Sequence, residues 1–422
     1  MVPMIYLLRI SVILVLTLIA AGQARAAEPA LDRLHEILAP FRGQDHPAPG
    51  PDFRCIGPRA MPAKQILRDW IETKLSAQGS KDLQTLVVEI NAALRDADLM
   101  PKPSEVDPDP DDLPPECVDV GYLSDVKIEY EEGSEALIVR TGLVIDNCGV
   151  DDSAYVYLRD GKRLQRIWQF EEPIDPARKY EPQQIDAVHV SPFRDKPRPR
   201  LVLMLGQMTW CTSRYSGIYD GVWRIDAEGM QPKQLLRESP GAVRDRWPAI
   251  MGSVGTDDVL IDFLRPSFDL NVWSNEAIRH YGFDGAKLTR LDPIALGPRS
   301  FVHAWLDPDA GEDDSWMEDE RWVDAAKHQQ FQDWRKTHQK DGQFPGTYAG
   351  PSLHCRLDTT LWQVKLAQSD EDKPESYFIV RWTPPYRFKL IDIAAAPRKD
   401  CIDADADADA KRTLFPVQEW RN

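Results

Sequence analysis

The sequence is poor in the residues that announce chemistry. It carries only 8 histidines in 422 residues. The two in the same helical stretch, His328 and His338, stand at no common zinc spacing. The patterns H-E-x-x-H, G-x-S-x-G, the P-loop and G-x-G-x-x-G are all missing. Those absences remove the usual signatures of metalloproteases, serine hydrolases, nucleotide-binding and dinucleotide-binding proteins. They leave open a site assembled from distant strands. Cysteine is scarce too, at 6, and none forms C-x-x-C. Positive charge is in deficit: 51 Lys and Arg against 68 Asp and Glu give −17. That balance argues against nucleic acid and anionic membrane surfaces as partners.

Long apolar runs are missing as well, with one exception at the start. Arg9 precedes the run Ile10 to Ala21, "ISVILVLTLIAA", and Ala24-Arg25-Ala26 follows as a small-x-small cleavage site. A basic start, an apolar stretch of roughly a dozen residues and an A-x-A end describe a secretory signal peptide over 1–26. The run is shorter than the ~20 apolar residues that span a bilayer. No integral membrane segment is expected in the mature chain, and the expected location is the periplasm or the medium. Loss of Arg9 and Arg25 makes the mature chain more acidic still. In an oxidising compartment an even set of cysteines reads as disulfides. Pairing neighbours along the chain gives Cys55–Cys117, Cys148–Cys211 and Cys355–Cys401; other pairings are equally compatible with the spacing.

What is present divides the chain. Residues 27–100 read as helical, with helices over 29–42, 62–78 and 81–99. In the third, Leu83, Leu86, Val87, Ile90 and Leu94 recur at three- and four-residue steps. In the second, Ile66, Leu67, Trp70, Ile71 and Leu75 do the same. Residues 101–116, "PKPSEVDPDPDDLPPE", form a Pro/Asp linker, because proline blocks helix and ladder alike. Calcium could be offered Asp107, Asp109, Asp111 and Asp112 there, but the interleaved prolines stiffen the segment against wrapping an ion.

From 117 to 400 the pattern turns to strands. Val126–Tyr130 alternates, Gly133 turns, "ALIVRTGLVI" follows, and Asp160-Gly161 sits between two apolar runs as a hairpin signal. "VWRIDAEGMQPKQLL" (222–236) and "HYGFDGAKLTRL" (280–291) are nearly one phrase written twice, around Gly229 and Gly285. "RDGKRL" resembles a third copy of the hairpin. Short strands closed by a glycine hairpin at intervals of 40–60 residues suggest propeller blades, because one small sheet cannot bury both its faces alone. The region has room for about five such units. The expected fold is mainly β: a propeller-like array of small antiparallel sheets with a helical N-terminal region and one inserted helix at about 313–339. The alternative is a β-sandwich or irregular β domain. A second low-complexity acidic stretch, 401–422, closes the chain with Asp403, Asp405, Asp407 and Asp409. It reads as a solvated tail, with Trp420 placed to tack it down.

Three groups of residues could carry chemistry. Asp307, Asp309, Asp313 and Glu318 fall at positions 1, 3, 7 and 12 of an EF-hand count, which makes Ca2+ the one cofactor considered. Glu312 stands where that loop needs glycine, and the plainer reading is an acidic helix start capped by Asp314 or Ser315. Trp305, Trp316, Trp322, Trp334, Tyr348 and Trp362 gather around the insertion and could stack on sugars; packing is the commoner use of such rings. Asp307, Asp309 and Asp324 could serve a carboxylate hydrolase if two carboxyls stood ~5–10 Å apart in an aromatic cleft. The sequence thus points to an exported cell-envelope binding or interaction module for a glycan, peptide or protein. A periplasmic hydrolase is the second reading, and a purely structural envelope protein the third.

Overall fold

The computed structural model describes residues 29–42, 60–77, 82–101 and 121–403. From the last span 147–148, 161–162, 172–182, 193–198, 209–214, 227–230, 239–240, 244–249, 267–273, 307–316, 318, 339–346, 369–374 and 385–386 are excepted. The expected signal peptide, most of the Pro/Asp linker and the acidic tail beyond Asp403 lie outside the described residues. The chain is mainly β; its described residues form four small antiparallel sheets, none of them closed on itself. It divides into two compact units: residues 1–185 with 208–212, and residues 186–207 with 213–422. No helix among the described residues is long and apolar enough to cross a membrane.

In the first unit the helices follow the apolar stripes. Helix α1 (29–38) runs into a 3-10 turn at Ala39–Phe41. Helix α2 (Ala60–Ala77) has Pro62 in its first turn, where a missing N–H costs nothing. Helix α3 (Leu83–Asp96) starts at Asp82, whose carboxylate accepts from Thr85 N at 3.4 Å. Sheet one follows as β1 (Lys127–Glu131), β2 (Ala136–Asp146), β3 (Gly149–Asp160) and β4 (Arg163–Glu171), paired in chain order. In the β1–β2 turn the left-handed residue is Glu135 (φ 54°) rather than Gly133. Helices and sheet share one core: Leu38, Leu67, Trp70, Ile71, Ile90 and Leu94 pack with Val139, Leu143, Tyr155 and Tyr157. Asn91 pins α3 to the chain ahead of β1, donating to Val126 O at 3.0 Å and accepting from Val126 N at 2.9 Å.

Sheet two contains β5 (Gln183–Val190), β6 (Arg200–Met208), β7 (Tyr215–Ile225) and β8 (Lys233–Glu238), with β9 (Gly241–Val243) beside β7. Sheet three contains β10 (Ile250–Val254), β11 (Asp258–Pro266), β12 (Ser274–Phe283) and β13 (Leu288–Leu291). Leu203, Leu205 and Val222 of sheet two pack with Val259, Ile261 and Phe263 of sheet three in one core. The repeated phrase lands at equivalent places, since each copy joins the third strand of its sheet to the fourth. Gly285 takes φ 97° with open space around it, and Asp284 Oδ1 closes the turn by accepting from the amides of Ala286 and Lys287. Gly229 and Gly161 lie outside the described residues.

Four sheets, not about five, occupy the described strand region. Helices take the remainder: α4 (Pro298–Leu306) and α5 (His328–His338). The inserted helix is shorter than its acidic-to-basic gradient predicts. Trp322 is drawn into the core and Val323 bridges to Leu390, so regular helix begins only after a 3-10 turn at Ala325–Lys327. Sheet four runs β14 (Thr347–Cys355), β15 (Leu361–Gln368), β16 (Ser376–Thr383), β17 (Arg387–Ala394), with β18 (Cys401–Asp403) on the outer edge of β14. Cys355 and Cys401 face each other across that edge and form a disulfide, as neighbour pairing predicts. Closing a loop of 46 residues contributes roughly 3–4 kcal/mol by the chain-entropy estimate. Cys55, Cys117, Cys148 and Cys211 lie outside the described residues.

Candidate functional site

Among the described residues, a row of enclosed ionisable groups lies where α2 meets sheet one. Lys64, Arg68 and Glu72 are spaced by four and therefore share one side of α2. On β3, Asp151, Ser153, Tyr155 and Tyr157 alternate onto one face of the strand. Lys64 Nζ meets Asp151 Oδ2 at 2.6 Å, with the side chains 4% and 0% exposed. One turn on, Arg68 Nη1 donates to both carboxylate oxygens of Glu171 on β4, at 2.8 and 3.0 Å. The Tyr155 hydroxyl donates to the same carboxylate at 2.7 Å. A further turn on, Glu72 accepts from Tyr157 at 3.1 Å and from Arg166.

Electrostatics follow from that enclosure. Burial, then the Glu171 charge, pushes the Tyr155 phenol well above its ordinary range. Tyr157 is raised likewise, by burial and then by Glu72. Burial disfavours the Arg68 charge, but Glu171, Tyr155 and Asp69 outweigh it and the guanidinium is held more firmly than usual. Beside the ladder, Asp152 points to the other face of β3. Its carboxyl group is enclosed although the residue is only half-buried overall; it is pushed up to about 7, chiefly by burial, with Asp151 adding and Arg140 and Lys127 opposing. Asp152 Oδ2 accepts from Ile185 N at 2.8 Å, while Arg140 Nη1 donates to Ile185 O at 3.2 Å. The two side chains thus grip both polar groups of one backbone residue.

The residues singled out in the sequence fall elsewhere. Trp305 is 1% exposed and packs edge-on against Phe331 and Phe378, at centroid distances of 6.3 and 6.0 Å. Trp322 is 1% exposed, and its indole donates to Asp292 Oδ1 at 2.7 Å. Neither ring offers an open face to a sugar; both are core. Trp334 packs edge-on against Phe378 and donates to Ser376 Oγ at 2.9 Å. Trp362 is half-buried between His354 and Trp382 in a row of rings that ends on Phe388 in sheet four. Tyr348 pairs in β14 with Ala367. Asp324 accepts from Ala326 N at 3.1 Å and caps the 3-10 turn ahead of α5. The calcium candidates Asp307, Asp309, Asp313 and Glu318, together with Trp316, lie outside the described residues.

Among the described residues, Cys355, Asp400 and Cys401 come together at metal-ligand distances. The two sulfurs are bonded to each other and Asp400 is paired with Arg398 at 3.0 Å, so the set is a disulfide beside an ion pair. Sequence reading missed the α2 ladder because Lys64, Arg68 and Glu72 look like an ordinary solvated helix face. The available signal was the four-residue spacing beside a strand that alternates Asp, Ser, Tyr and Tyr. Fold and site together define a mainly β protein in which helices back sheets one and four while sheets two and three share a core. No protein-family model matches the chain, and no curated protein matches it significantly.

Proposed function

We propose that the protein is an exported binding module of the cell envelope, built on a propeller-like array of its small sheets and holding a glycan, peptide or partner protein. The observation that carries this reading over a carboxylate hydrolase is how the enclosed acids are used. Asp151, Glu171 and Glu72 are each tied to a cation, and Glu171 and Glu72 also to a tyrosine hydroxyl. A general acid or base must instead reach a substrate proton. Four consecutive strands paired in chain order in each of the four described sheets, with β9 and β18 as additions at the edges of sheets two and four, support the array. The buried Cys355–Cys401 bridge supports an oxidising compartment, as the expected signal peptide does. The insertion at 313–339 is the proposed place for a ligand, since insertions on repeated sheets tend to gather on one face.

The test begins with the native gene expressed with its leader. The mature protein should start at Ala27, be recovered outside the cytoplasm, and bind an envelope glycan or protein fraction without turning it over. Retention in the cytoplasm with reduced thiols would overturn the export half. Hydrolysis of envelope glycan, lost on changing Asp307 or Asp309 to Asn, would replace the module with the hydrolase reading. A melting temperature unmoved by millimolar calcium would end the Ca2+ proposal.

A further inference from the structure

One end of the α2 ladder opens on a cavity of about 10 Å³, lined by Ala63, Lys64, Thr141, Gly142, Asp151 and Ser153 among others. Lys64 is buried there and its ammonium has three N–H donors. Asp151 Oδ2 at 2.6 Å takes one, and no other partner of the amine is present among the described residues. Two donors of a charged group enclosed without acceptors would be costly, because burial removes the water that satisfied them. The hydroxyls of Thr141 and Ser153, 4% and 1% exposed, line the same cavity.

We propose that this cavity is a binding site for one ordered water molecule, which takes the second of the three Lys64 N–H donors beside Asp151. Its volume is that of a single water-sized occupant. The water accepts from Lys64 Nζ and donates to the hydroxyl oxygens of Thr141 and Ser153, a partner set of the usual size for a buried water. Charge selects it over an ion: an anion would sit against Asp151, and a cation against Lys64. The apolar side of the lining, Leu67, Leu123 and Leu143, shields the site on its other side. The water therefore belongs to the docking of α2 on sheet one, as a bridge where the ladder would otherwise leave the ammonium with Asp151 alone.

A crystal structure of the mature protein with ordered solvent tests this. The expected result is a fully occupied water about 3 Å from Lys64 Nζ. A dry cavity, an ion in its place, or an amine turned out to solvent would overturn the proposal. Thr141→Val keeps the shape of the side chain and removes a hydroxyl; the water should vanish and the melting temperature should drop by several degrees. If that variant fails to fold, Ser153→Ala, which only deletes a hydroxyl, should reduce the water's occupancy. A water undisturbed by either change would show that these groups do not hold it.

Discussion

Two helix–sheet interfaces in this protein solve the same packing problem with opposite chemistry. On sheet one, α2 lays down charge: Lys64 on Asp151, Arg68 on Glu171, Glu72 with Tyr157 and Arg166. On sheet four, α4 and α5 lay down rings: Phe301, Trp305, Phe331 and Trp334 against Phe378 and Phe388. An aromatic interface gains stability from area and shape, and tolerates small shifts. A buried ionic interface gains little net stability, since desolvation offsets attraction, but it penalises every wrong register. The second kind also holds tyrosine phenols whose protons burial and neighbouring carboxylates bind more firmly.

The largest effect separating them should come from sheet four. Trp305→Ala should cost about 3–5 kcal/mol in urea unfolding, the range for a fully buried large aromatic. No second substitution on sheet four should restore it short of refilling the volume. A loss below about 1 kcal/mol would mean the ring is not packed as described. Removing the amine on α2, by Lys64→Met, should cost a similar or slightly smaller amount, because Asp151 is left buried without its ammonium partner. Here a partner change rescues: Lys64→Met with Asp151→Leu should recover most of the loss in a double-mutant cycle. Strict additivity of the two changes would erase the contrast between the interfaces.

The effect that is smallest per pH unit comes from Asp152, on the face of β3 opposite the ladder. Asp152 titrates near 7 in the folded chain, against an ordinary value of 3.8. The folded state holds its proton more tightly, so the associated stability is fully present below about 3.8 and is lost as pH rises toward 7. Across that window the contribution should fall by at most ~1.4 kcal/mol per pH unit. Asp152→Asn should abolish that component of the slope, read as the difference between wild-type and variant unfolding free energies from pH 4 to 8. A wild type that gains stability with pH relative to the variant would reverse the assignment.

Much of the architecture was readable from the chain. The α3 stripe of Leu86, Ile90 and Leu94 became its buried face, and the copies of the repeated phrase became third-to-fourth-strand hairpins. Periodicity reports which face is apolar, and hairpin glycines report local backbone; both are local quantities. Trp305 and Trp322 show the limit. Their composition and neighbourhood fitted a sugar platform as well as a core, and only the helices closing over sheet four made them core. Helix α4 was missed because "PRSFVHAWL" is short and follows a strand region without a strong cap signal.

The sequence by itself determined most element types, the apolar faces and the acidic balance of the chain, because these depend on side chains a few residues apart or on composition. Only the tertiary structure decided that Lys64 would meet Asp151, that Arg68 would meet Glu171, and that Asp152 would lie beside Ile185 and hold its proton to about 7. Burial of a charge is a property of what the rest of the chain places around it. A lysine four residues from an arginine looks the same in a solvated helix and in a sealed interface until the sheet arrives.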